Sequence, residues 1–564
     1  MKGPGVIGVA IAQLNMTVWD IRGNIAKIRA AYDAATASGS DLMITPELAV
    51  VGYMAEDLLL GDSWREQQEQ VLQELAEITD GRTTGLLVGL PVDCGSNDDI
   101  SPKFRQPQLY NAAILFANGK EIGRAYKHHL PNYGVFDETR YFQNTHLSDL
   151  ASIEFAGRRL GVMICEDMWY DDVPDRLVST GADIFVVLNA SPYEEKKRAR
   201  RLNIAQGIAQ KHNKPLVYAN LIGGQDELLF DGASFVLSSK GTIVSSTDPW
   251  QENVLFVEIS SEEGQRSQVK IPAQDEGDIY QALMLGLRDY VHKNGFASVM
   301  LGLSGGMDSS FVSVLAADAL GSEALSVVML PSKYTSQESY KDAMELINKL
   351  GCKHYTLSIK QLHEIAAGEL TNGLGVGIAS LTEENLQARL RGLLLMAASN
   401  QNGQLLLATG NKSEYAVGYA TIYGDMCGGF APIKDVYKTL VYRLAHWRNH
   451  NIPPASLTNA LVQPFTDNVL KKAPTAELRP NQKDQDSLPA YEVLDLILAY
   501  LIEGNVSSSQ LVEQGIANEL ILRIRQMLHS AEFKRRQAAL GPKITTRNFG
   551  KDWRYPITEY KKKG

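Results

Sequence analysis

The pattern of apolar and polar residues alternates between strand-like and helix-like stretches through the first half of the chain. Near-continuous apolar segments predict strands buried on both faces, whereas the residues after Gly23 have the apolar spacing of a helix. Asn118-Gly119 and Lys240-Gly241 provide turn residues for two hairpins. The predicted strands cover residues 6–14, 41–47, 85–92, 159–165, 182–190 and 214–223. Strands that alternate with helices predict an α/β layer structure.

This pattern is interrupted by a polar stretch, residues 259–278, that has no apolar periodicity. A new amphipathic helix is predicted from Ile279, with strands after it at 298–303, 324–330, 353–359 and 404–410. The chain is therefore predicted to form two domains joined by a linker. Their predicted bounds are 1–265 and 279–564, with 266–278 between them.

Two further segments of the second half have local signatures. Thr335 and Glu338 have the spacing of a capping box for the helix that ends before Gly351. Residues 464–489 are rich in Pro, Asp, Asn and Lys, and they predict a long functional loop.

Composition limits the classes of protein that fit. A chain of 564 residues exceeds what one core usually supports, which agrees with two domains. The net charge of −10 disfavours nucleic acid as a partner, and the Lys561–Lys563 segment is interpreted as a solvated tail. No signal peptide and no membrane-length apolar segment is recognised. The cysteines, without CxxC spacing, argue against a disulfide framework or a zinc site and predict a cytoplasmic protein: Cys94, Cys165, Cys352 and Cys427.

Three residues at the ends of predicted strands suggest the first chemistry. Amide hydrolysis through a thioester needs a nucleophile, a base and a cation for the oxyanion, and Cys165, Glu47 and Lys127 meet these needs. The lysine charge would also favour the thiolate. Taken singly, each residue has a structural explanation: a packed core thiol, a surface carboxylate and a solvated lysine.

The segments around these residues resemble the nitrilase superfamily over residues 5–260, in the order Glu, Lys, Cys. The resemblance implies an αββα sandwich in which Glu47 is the base, Lys127 the oxyanion stabiliser and Cys165 the nucleophile, with Glu138 as the supporting glutamate. NYGVFDE and NASPYEEKKR resemble the branch fused to NAD synthetases. This implies glutamine binding by Tyr133, Ser191 and Lys197. The residues leave open which cation of the basic segment around Lys197 makes that contact.

The segment LGLSGGMDSS, residues 301–310, follows a predicted strand and opens a predicted helix. A glycine pair at such a turn lets backbone amides and a helix N-terminus converge on an anion. Asp308 can help to hold Mg²⁺, and Ser304 and Ser309 can donate hydrogen bonds. The segment is neither a Walker A loop nor a GxGxxG fingerprint, and a bare SGG would indicate only a connector.

In its context this segment resembles the PP-loop of ATP pyrophosphatases, the adenine nucleotide α-hydrolase type. The resemblance implies a Rossmann-like parallel sheet with ATP at the carboxyl ends of the strands. Met307 stands where many relatives have Ile or Val, a conservative departure. The implied ATP-binding residues are Gly302, Leu303, Ser304, Gly305, Gly306, Met307, Asp308, Ser309 and Thr409.

Later segments, such as LLATGNKSEYAVGYATIYGD and LRPNQKDQDSLPAYEVLD, resemble the family of glutamine-dependent NAD synthetases. The resemblance implies deamido-NAD contacts at Asn385, Glu414, Lys438 and Lys534, and Mg²⁺ ligands at Asp308 and Glu414. It implies that ATP, deamido-NAD and glutamine or ammonia are substrates, that NAD is product and not redox cofactor, and that the protein is a homo-oligomer.

Two alternatives remain from the residues. The same fusion could amidate a different nicotinate-like or nucleotide carboxylate, although the 478–495 segment argues against this. PP-loop proteins also modify tRNA, but the acidic composition disfavours an RNA-binding module.

Overall fold

The computed structural model describes residues 6–93, 109–260, 271–272, 274–458, 461–480, 482–504, 508–513 and 515–559. Cys94, the C-terminal lysine segment and part of the predicted linker lie outside these residues. The chain forms two compact units. Unit 1 comprises Met1–Gln225 and Leu229–Ala273, and unit 2 comprises Asp226–Leu228 and Gln274–Gly564.

Unit 1 is built mainly from strands, and the first of them is a fully buried apolar segment. The strands are β1 (Ile7–Gln13), β2 (Leu42–Ile44), β3 (Gly85–Asp93), β4 (Leu109–Ala117), β5 (Lys120–Tyr126), β6 (Ile153–Phe155), β7 (Arg158–Ile164), β8 (Ile184–Asn189), β9 (Leu216–Asn220), β10 (Ile222–Gln225), β11 (Leu228–Asp231), β12 (Phe235–Leu237), β13 (Ile243–Ser246) and β14 (Asn253–Ile259). They form two six-stranded sheets, in the orders β14-β1-β2-β3-β4-β5 and β13-β12-β9-β8-β7-β6, and the small sheet β10-β11. The central strands β1–β2–β3 and β7–β8–β9 run parallel. Both hairpin turns predicted from the sequence are present, joining β4 to β5 and β12 to β13.

The two large sheets of unit 1 pack face to face. Their inner faces share one apolar core, which includes Val9 and Ile44 from one sheet and Val162 and Val186 from the other. The outer face of the second sheet packs against helices, as shown by Phe185 and its neighbours. The helices are α1 (Ile21–Ala37), α2 (Ser63–Ile78), α3 (Asp172–Ser179) and α4 (Lys197–His212). This architecture confirms the predicted αββα sandwich.

Unit 2 is built on a parallel sheet of β15 (Val299–Gly302), β16 (Leu325–Met329), β17 (Lys353–Thr356) and β18 (Leu405–Leu407), in the order β17-β16-β15-β18. Met300, Val328 and Leu406 on its strands pack against helix side chains such as Leu394. This is the predicted parallel-sheet domain. Its helices are α5 (Glu276–Lys293), α6 (Met307–Leu320), α7 (Gln337–Leu350), α8 (Lys360–Leu374), α9 (Ser380–Asn402), α10 (Lys412–Val417), α11 (Lys438–His450), α12 (Asp467–Lys471), α13 (Tyr491–Ile502), α14 (Ser508–Glu513), α15 (Asn518–Ser530) and α16 (Glu532–Arg535).

Local details differ from the sequence-based predictions. Helix α7 begins one residue later than the proposed capping box requires, because the Ser336 hydroxyl, and not that of Thr335, accepts the N–H of Ser339 at 3.0 Å. Thr335 instead accepts a hydrogen bond from the N–H of Ser332. The predicted box is therefore wrong. The predicted loop 464–489 contains the short helix α12.

Candidate active sites

The three glutaminase candidates of unit 1 each follow a strand of its two large sheets. Glu47 follows β2 and Lys127 follows β5 in one sheet, while Cys165 follows β7 in the other. All three side chains are buried. The face-to-face packing of the sheets thus brings together residues that are far apart in sequence.

Lys127 is held between two carboxylates. Its Nζ donates to Glu47 Oε1 at 2.7 Å and to Glu138 Oε1 at 2.9 Å. Burial disfavours the ammonium, but Glu138 and Glu47 outweigh it and raise the pKa of Lys127 well above its usual value. Burial raises the pKa of Glu138 to about 7, although Lys127 acts in the opposite direction. Lys127 therefore remains a cation in an interior from which water is excluded.

Cys165 has a backbone conformation that few residues other than glycine adopt, with φ of 47°. It begins a short 3₁₀ helix, Cys165–Trp169, directly after β7. Burial and the Glu47 carboxylate raise the pKa of its thiol well above the usual value, against the opposing effect of Lys127. The effect expected of the lysine is present but is outweighed, so the resting side chain is a thiol with a carboxylate base in its vicinity.

Several residues that hold this site were not recognised in the sequence. Asn111 Nδ2 donates to Glu47 Oε1 at 2.7 Å, and the N–H of Ala190 donates to Glu47 Oε2 at 3.0 Å. Tyr53 donates to Glu138 Oε1 at 2.8 Å. Asp167 accepts the backbone N–H groups of Ile164, His128 and His129. A polar side chain within an apolar strand, as at Asn111, was the one available signal.

The expected glutamine contacts lie close to these residues. The Tyr133 hydroxyl donates to Glu166 Oε1 at 3.0 Å, and its ring lies 5.5 Å from that of Phe136. Lys197 Nζ lies 5.8 Å from the centroid of the same ring. Ser191, which is buried, follows Ala190 and so lies beside the Glu47 contact.

The basic segment around Lys197 divides by environment. Arg198 is buried and donates to Asp231 Oδ2 at 2.8 Å, so its charge is already used inside unit 1. Arg200 lies over the Trp169 ring, with 4.9 Å between Cζ and the ring centroid. Lys196 is exposed and precedes α4. Among these cations, Lys197 is the one that lies at the Phe136 ring, which also contacts Tyr133.

Unit 2 contains a cavity of about 300 Å³ at the carboxyl ends of β15 and β18. Every residue from Gly302 to Ser309 lines it, as do Thr409, Glu414 and Lys438. Residues of the predicted functional loop line it as well, including Lys472 and Asp484. The cavity thus gathers most of the residues expected to bind nucleotide and substrate.

The backbone of the glycine-rich turn in this cavity passes very close to the backbone of Ser339. Gly305 has φ of +82°, and a Cβ on it would lie 2.1 Å from the carbonyl oxygen of Ser339. Within the loop, Ser304 Oγ and Ser309 Oγ are 3.0 Å apart and bond each other. Helix α6 begins at Met307, and no side chain caps it among the contacts described for this turn. Its free amide groups are suited to an anion.

Two acidic side chains share one lysine at the cavity wall. Lys438 Nζ bonds Asp308 Oδ2 and lies 3.5 Å from Glu414 Oε1. Burial and Asp308 raise the pKa of Glu414 to about 8, while Lys438 opposes the shift. The other oxygen of Asp308, Oδ1, is buried and has no hydrogen-bond partner among the described residues. The two carboxylates therefore carry more negative charge and more hydrogen-bond acceptors than the one lysine can pair with.

Asn385 and Lys534 do not themselves line this cavity, although Lys534 contacts Ala420, which does. Asn385 accepts a hydrogen bond from the Thr421 hydroxyl at 2.9 Å. Lys534 Nζ donates to the carbonyl oxygens of Gly418 and Ala420, both at 2.8 Å. In this structure both residues support the segment after α10.

Comparisons with known proteins agree with this division of the chain. Residues 8–268 match the carbon-nitrogen hydrolase family, and residues 279–538 match the NAD synthase family. The chain is 42% identical to the glutamine-dependent NAD(+) synthetase of Rhodobacter capsulatus, over 97% of this chain and 98% of that protein. It is 40% identical to that of Aquifex aeolicus, over 98% and 99%.

The chain belongs to the glutamine-dependent NAD(+) synthetase family. A solved member of the family, from Acinetobacter baumannii in complex with adenosine diphosphate, is 37% identical, with 98% of each chain covered and a TM-score of 0.76. The member from Cytophaga hutchinsonii, 23% identical, has a TM-score of 0.81 and shows the same fold. In the present chain, no helix among the described residues is long and apolar enough to cross a membrane.

Proposed function

We propose that this chain makes NAD⁺ from deamido-NAD⁺, with glutamine as nitrogen donor and ATP as the source of activation. Family membership supports the overall reaction, a carbon–nitrogen ligation. The observation that carries the glutaminase assignment is the buried Glu47–Lys127 pair beside the strained Cys165. We propose that the boundary between the glutaminase and synthetase domains lies within residues 266–278. We also propose that the enzyme is cytoplasmic.

In the glutaminase half, Glu47 takes the proton of Cys165 as sulfur attacks the side-chain carbonyl of glutamine. Lys127 provides the positive charge for the oxyanion that forms. The tetrahedral intermediate collapses to a thioester, and the nitrogen leaves as ammonia with the proton held by Glu47. Water then attacks the thioester as Glu47 removes its proton. The Cys165 sulfur leaves and takes that proton back from Glu47, so that glutamate is released and the thiol is restored.

Tyr133, Ser191 and Lys197 are proposed to orient the glutamine. Tyr133 and Lys197 both approach the Phe136 ring, and Ser191 adjoins the backbone amide that bonds Glu47. Glu138 accepts a second hydrogen bond from Lys127 and has Tyr53 as its further partner. The charge of Lys127 is thus fixed in place before substrate arrives.

In the synthetase half, the nicotinate carboxylate of deamido-NAD⁺ attacks the α-phosphate of ATP, and pyrophosphate leaves. Ammonia then displaces AMP from the adenylate to give the amide of NAD⁺. The Gly302–Ser309 loop and Thr409 are proposed to hold ATP. The 37% identical Acinetobacter baumannii structure contains adenosine diphosphate, which supports an adenine nucleotide here.

Asp308 and Glu414 are proposed to hold Mg²⁺. The buried, unpartnered Oδ1 of Asp308 fits a hard cation, and carboxylate oxygens are its preferred ligands. When bound, Mg²⁺ neutralises charge on the pyrophosphate leaving group. Lys438, which bonds Asp308 in this structure, is proposed to turn towards the phosphates or the substrate carboxylate. Asn385 and Lys534 are proposed to contact deamido-NAD⁺ through the segment that they support.

We also infer a homo-oligomer. Helices α8 and α9 carry large apolar side chains that are 62% to 70% exposed: Ile365, Leu374, Leu381 and Leu393. Such a surface is more typical of an interface than of a monomer. A second copy of the chain is the proposed partner.

Paired variants test the proposed division of labour. Cys165→Ala should lose glutamine-driven NAD⁺ synthesis by at least about 10³-fold but keep ammonium-driven synthesis, because unit 2 is unchanged. Asp308→Ala should lose synthesis from both nitrogen sources while glutamine hydrolysis persists. Cys352→Ala, which removes a buried thiol in unit 2, serves as the matched control and should keep glutamine-driven synthesis.

The result that contradicts the glutaminase assignment is a Cys165→Ala variant that still uses glutamine. Ammonium-driven turnover at the normal rate in Asp308→Ala would exclude that carboxylate as a required metal ligand. Absence of NAD⁺ formation by the unmodified enzyme from either nitrogen source would contradict the proposed acceptor.

A further inference from the structure

Two histidines and an aspartate form a cluster on unit 1 that the glutaminase mechanism does not use. His128 and His129 directly follow Lys127, and Asp172 is the first residue of α3. One ligand atom from each of the three residues can be chosen so that these atoms lie within 4.8 Å of one another. The cluster is partly open to solvent, with side-chain exposures of 18%, 23% and 41% respectively.

Hydrogen bonds orient both imidazoles towards the carboxylate. His128 Nδ1 donates to the carbonyl oxygen of Thr145 at 2.7 Å, so the proton is on Nδ1 and Nε2 has a free lone pair. His128 Nε2 lies 3.9 Å from Asp172 Oδ2, which is too far for a hydrogen bond. His129 Nε2 lies 2.9 Å from Asp172 Oδ1. A hydrogen bond from Nδ1 to a backbone carbonyl, as in His128, fixes the tautomer of many metal-binding histidines.

The backbone that carries the two histidines is also fixed. The buried Asp167 carboxylate accepts the N–H of His128 at 3.0 Å and that of His129 at 2.8 Å. The His129 ring stacks on Tyr170, with ring centroids 4.0 Å apart. Little ordering is therefore needed before a ligand can bind, since both imidazoles already have defined positions.

We propose that His128, His129 and Asp172 form a binding site for a divalent transition-metal ion such as Zn²⁺. Two imidazole nitrogens and one carboxylate oxygen suit Zn²⁺ better than Mg²⁺ or Ca²⁺, and exchangeable water completes the coordination. Ligand atoms of a tetrahedral zinc site are about 3.3 Å apart, given bonds of about 2.0 Å. The ligand atoms lie within 4.8 Å of one another, so the three side chains move closer together when the ion binds.

An ion at this site links the segment that carries Lys127 to the segment that carries Cys165. Lys127 immediately precedes the two histidines, and Asp172 follows the 3₁₀ helix that begins at Cys165. Binding therefore stabilises unit 1 against unfolding by linkage, because the unfolded chain lacks the assembled site. The metal is structural and takes no part in the chemistry.

Zn²⁺ titration of the full-length, tag-free protein tests the site. The measurements use a Cys165→Ala background, in which the nucleophile cannot bind zinc. We expect calorimetry to show one Zn²⁺ whose affinity falls at least about tenfold in His128→Ala, in His129→Gln and in Asp172→Asn, as is usual even for loss of a supporting group. Asp171→Asn removes a neighbouring carboxylate that is 78% exposed and lies outside the cluster, and it should leave the affinity unchanged.

Thermal unfolding of the same proteins separates binding from misfolding. Each variant should unfold at the temperature of its parent without metal, and Zn²⁺ should raise that temperature only where the cluster is intact. Cu²⁺ in place of Zn²⁺ should give an electron paramagnetic resonance spectrum with nitrogen couplings that disappear in the double histidine variant. Equal Zn²⁺ binding by the parent and the histidine variants, or equal weakening by Asp171→Asn, overturns the proposal.

Discussion

At the scale of single residues, Lys127 is the buried cation of the proposed glutaminase site. It is fully buried, and both of its carboxylate partners are buried as well. Charges that have been removed from water are tolerated only when they are paired, so each member of this cluster requires the others. The same arrangement provides a fixed charge for catalysis and a risk to stability.

Lys127→Ala should affect both properties. We expect glutamine hydrolysis to fall at least about 10²-fold, as for loss of an oxyanion donor, and the free energy of unfolding of unit 1 to fall by about 3–5 kcal/mol, since two buried carboxylates lose their cation. Urea unfolding followed by proteolysis and mass spectrometry reports each unit separately. Lys120→Ala, on the exposed start of the same strand β5, is the matched control, and a similar loss in that variant would contradict the explanation.

Glu414 should make nucleotide binding depend on pH. Its pKa of about 8 means that the free enzyme holds a proton there at pH 7, and this proton must leave before the carboxylate can bind Mg²⁺. The affinity for MgATP should therefore rise as pH increases through about 8 and level off above that pH. Calorimetry at pH 7 in buffers of different ionisation enthalpy should show more proton release for the native enzyme than for Glu414→Gln. Equal proton release by the two proteins would contradict this prediction.

At the scale of elements, the turn between β15 and α6 requires one glycine in particular. A side chain at Gly305 would clash with the Ser339 carbonyl oxygen, and the residue would also have to adopt a positive φ. Gly306 has φ of −88°, and a Cβ there would lie 3.3 Å from the Ser304 hydroxyl. A side chain is therefore much harder to accommodate at Gly305 than at Gly306.

Gly305→Ala should therefore reduce the thermal stability of unit 2 and abolish ATP binding, with synthesis lost from both glutamine and ammonium. Gly306→Ala should lower the unfolding temperature much less, because its backbone conformation suits alanine. Scanning fluorimetry and nucleotide titration on both variants provide the measurement. Equal destabilisation by the two substitutions would show that the close approach to Ser339 does not limit this turn.

Elements were predictable from sequence where burial is uniform. The strands around 85–92 and 182–190 are buried on both faces, so their composition alone identified them. The helix start at Ser336 was harder, because adjacent Thr335 and Ser336 are both good caps and only tertiary contacts decide between them.

Candidate site residues were predictable where a motif surrounds them, as for Cys165 and Asp308. No motif surrounds Asn111, and Asp167 lies two residues after Cys165 without its role being visible in the sequence. Their importance comes from partners on other strands and loops, and spacing along one chain does not reveal such partners.

At the scale of the whole molecule, one chain carries a producer and a consumer of ammonia. Ammonia in neutral water is mostly protonated and is a poor nucleophile, so transfer within the covalently joined enzyme has an advantage over release. We expect glutamine labelled with ¹⁵N at its side-chain amide to yield mostly labelled NAD⁺ even with excess unlabelled ammonium below its saturating level. Mass spectrometry of the product gives the ratio directly.

A mixture of two variants supplies the control for this experiment. Cys165→Ala retains the synthetase and Asp308→Ala retains the glutaminase, so ammonia in the mixture must travel through solvent. The label preference should disappear there. If the intact enzyme instead gives NAD⁺ diluted to the composition of the bulk pool, internal transfer is wrong while both active-site assignments stand.

The protonated state of Cys165 also bears on how the enzyme withstands oxidants. Peroxides attack thiolates far faster than thiols, and the first product, a sulfenic acid, cannot open an amide. Burial and Glu47 keep the Cys165 sulfur protonated until a substrate carbonyl is present to receive it. The proposed nucleophile is thus exposed to oxidative damage mainly during turnover, and the idle enzyme keeps its thiol in the reduced form that the reaction needs.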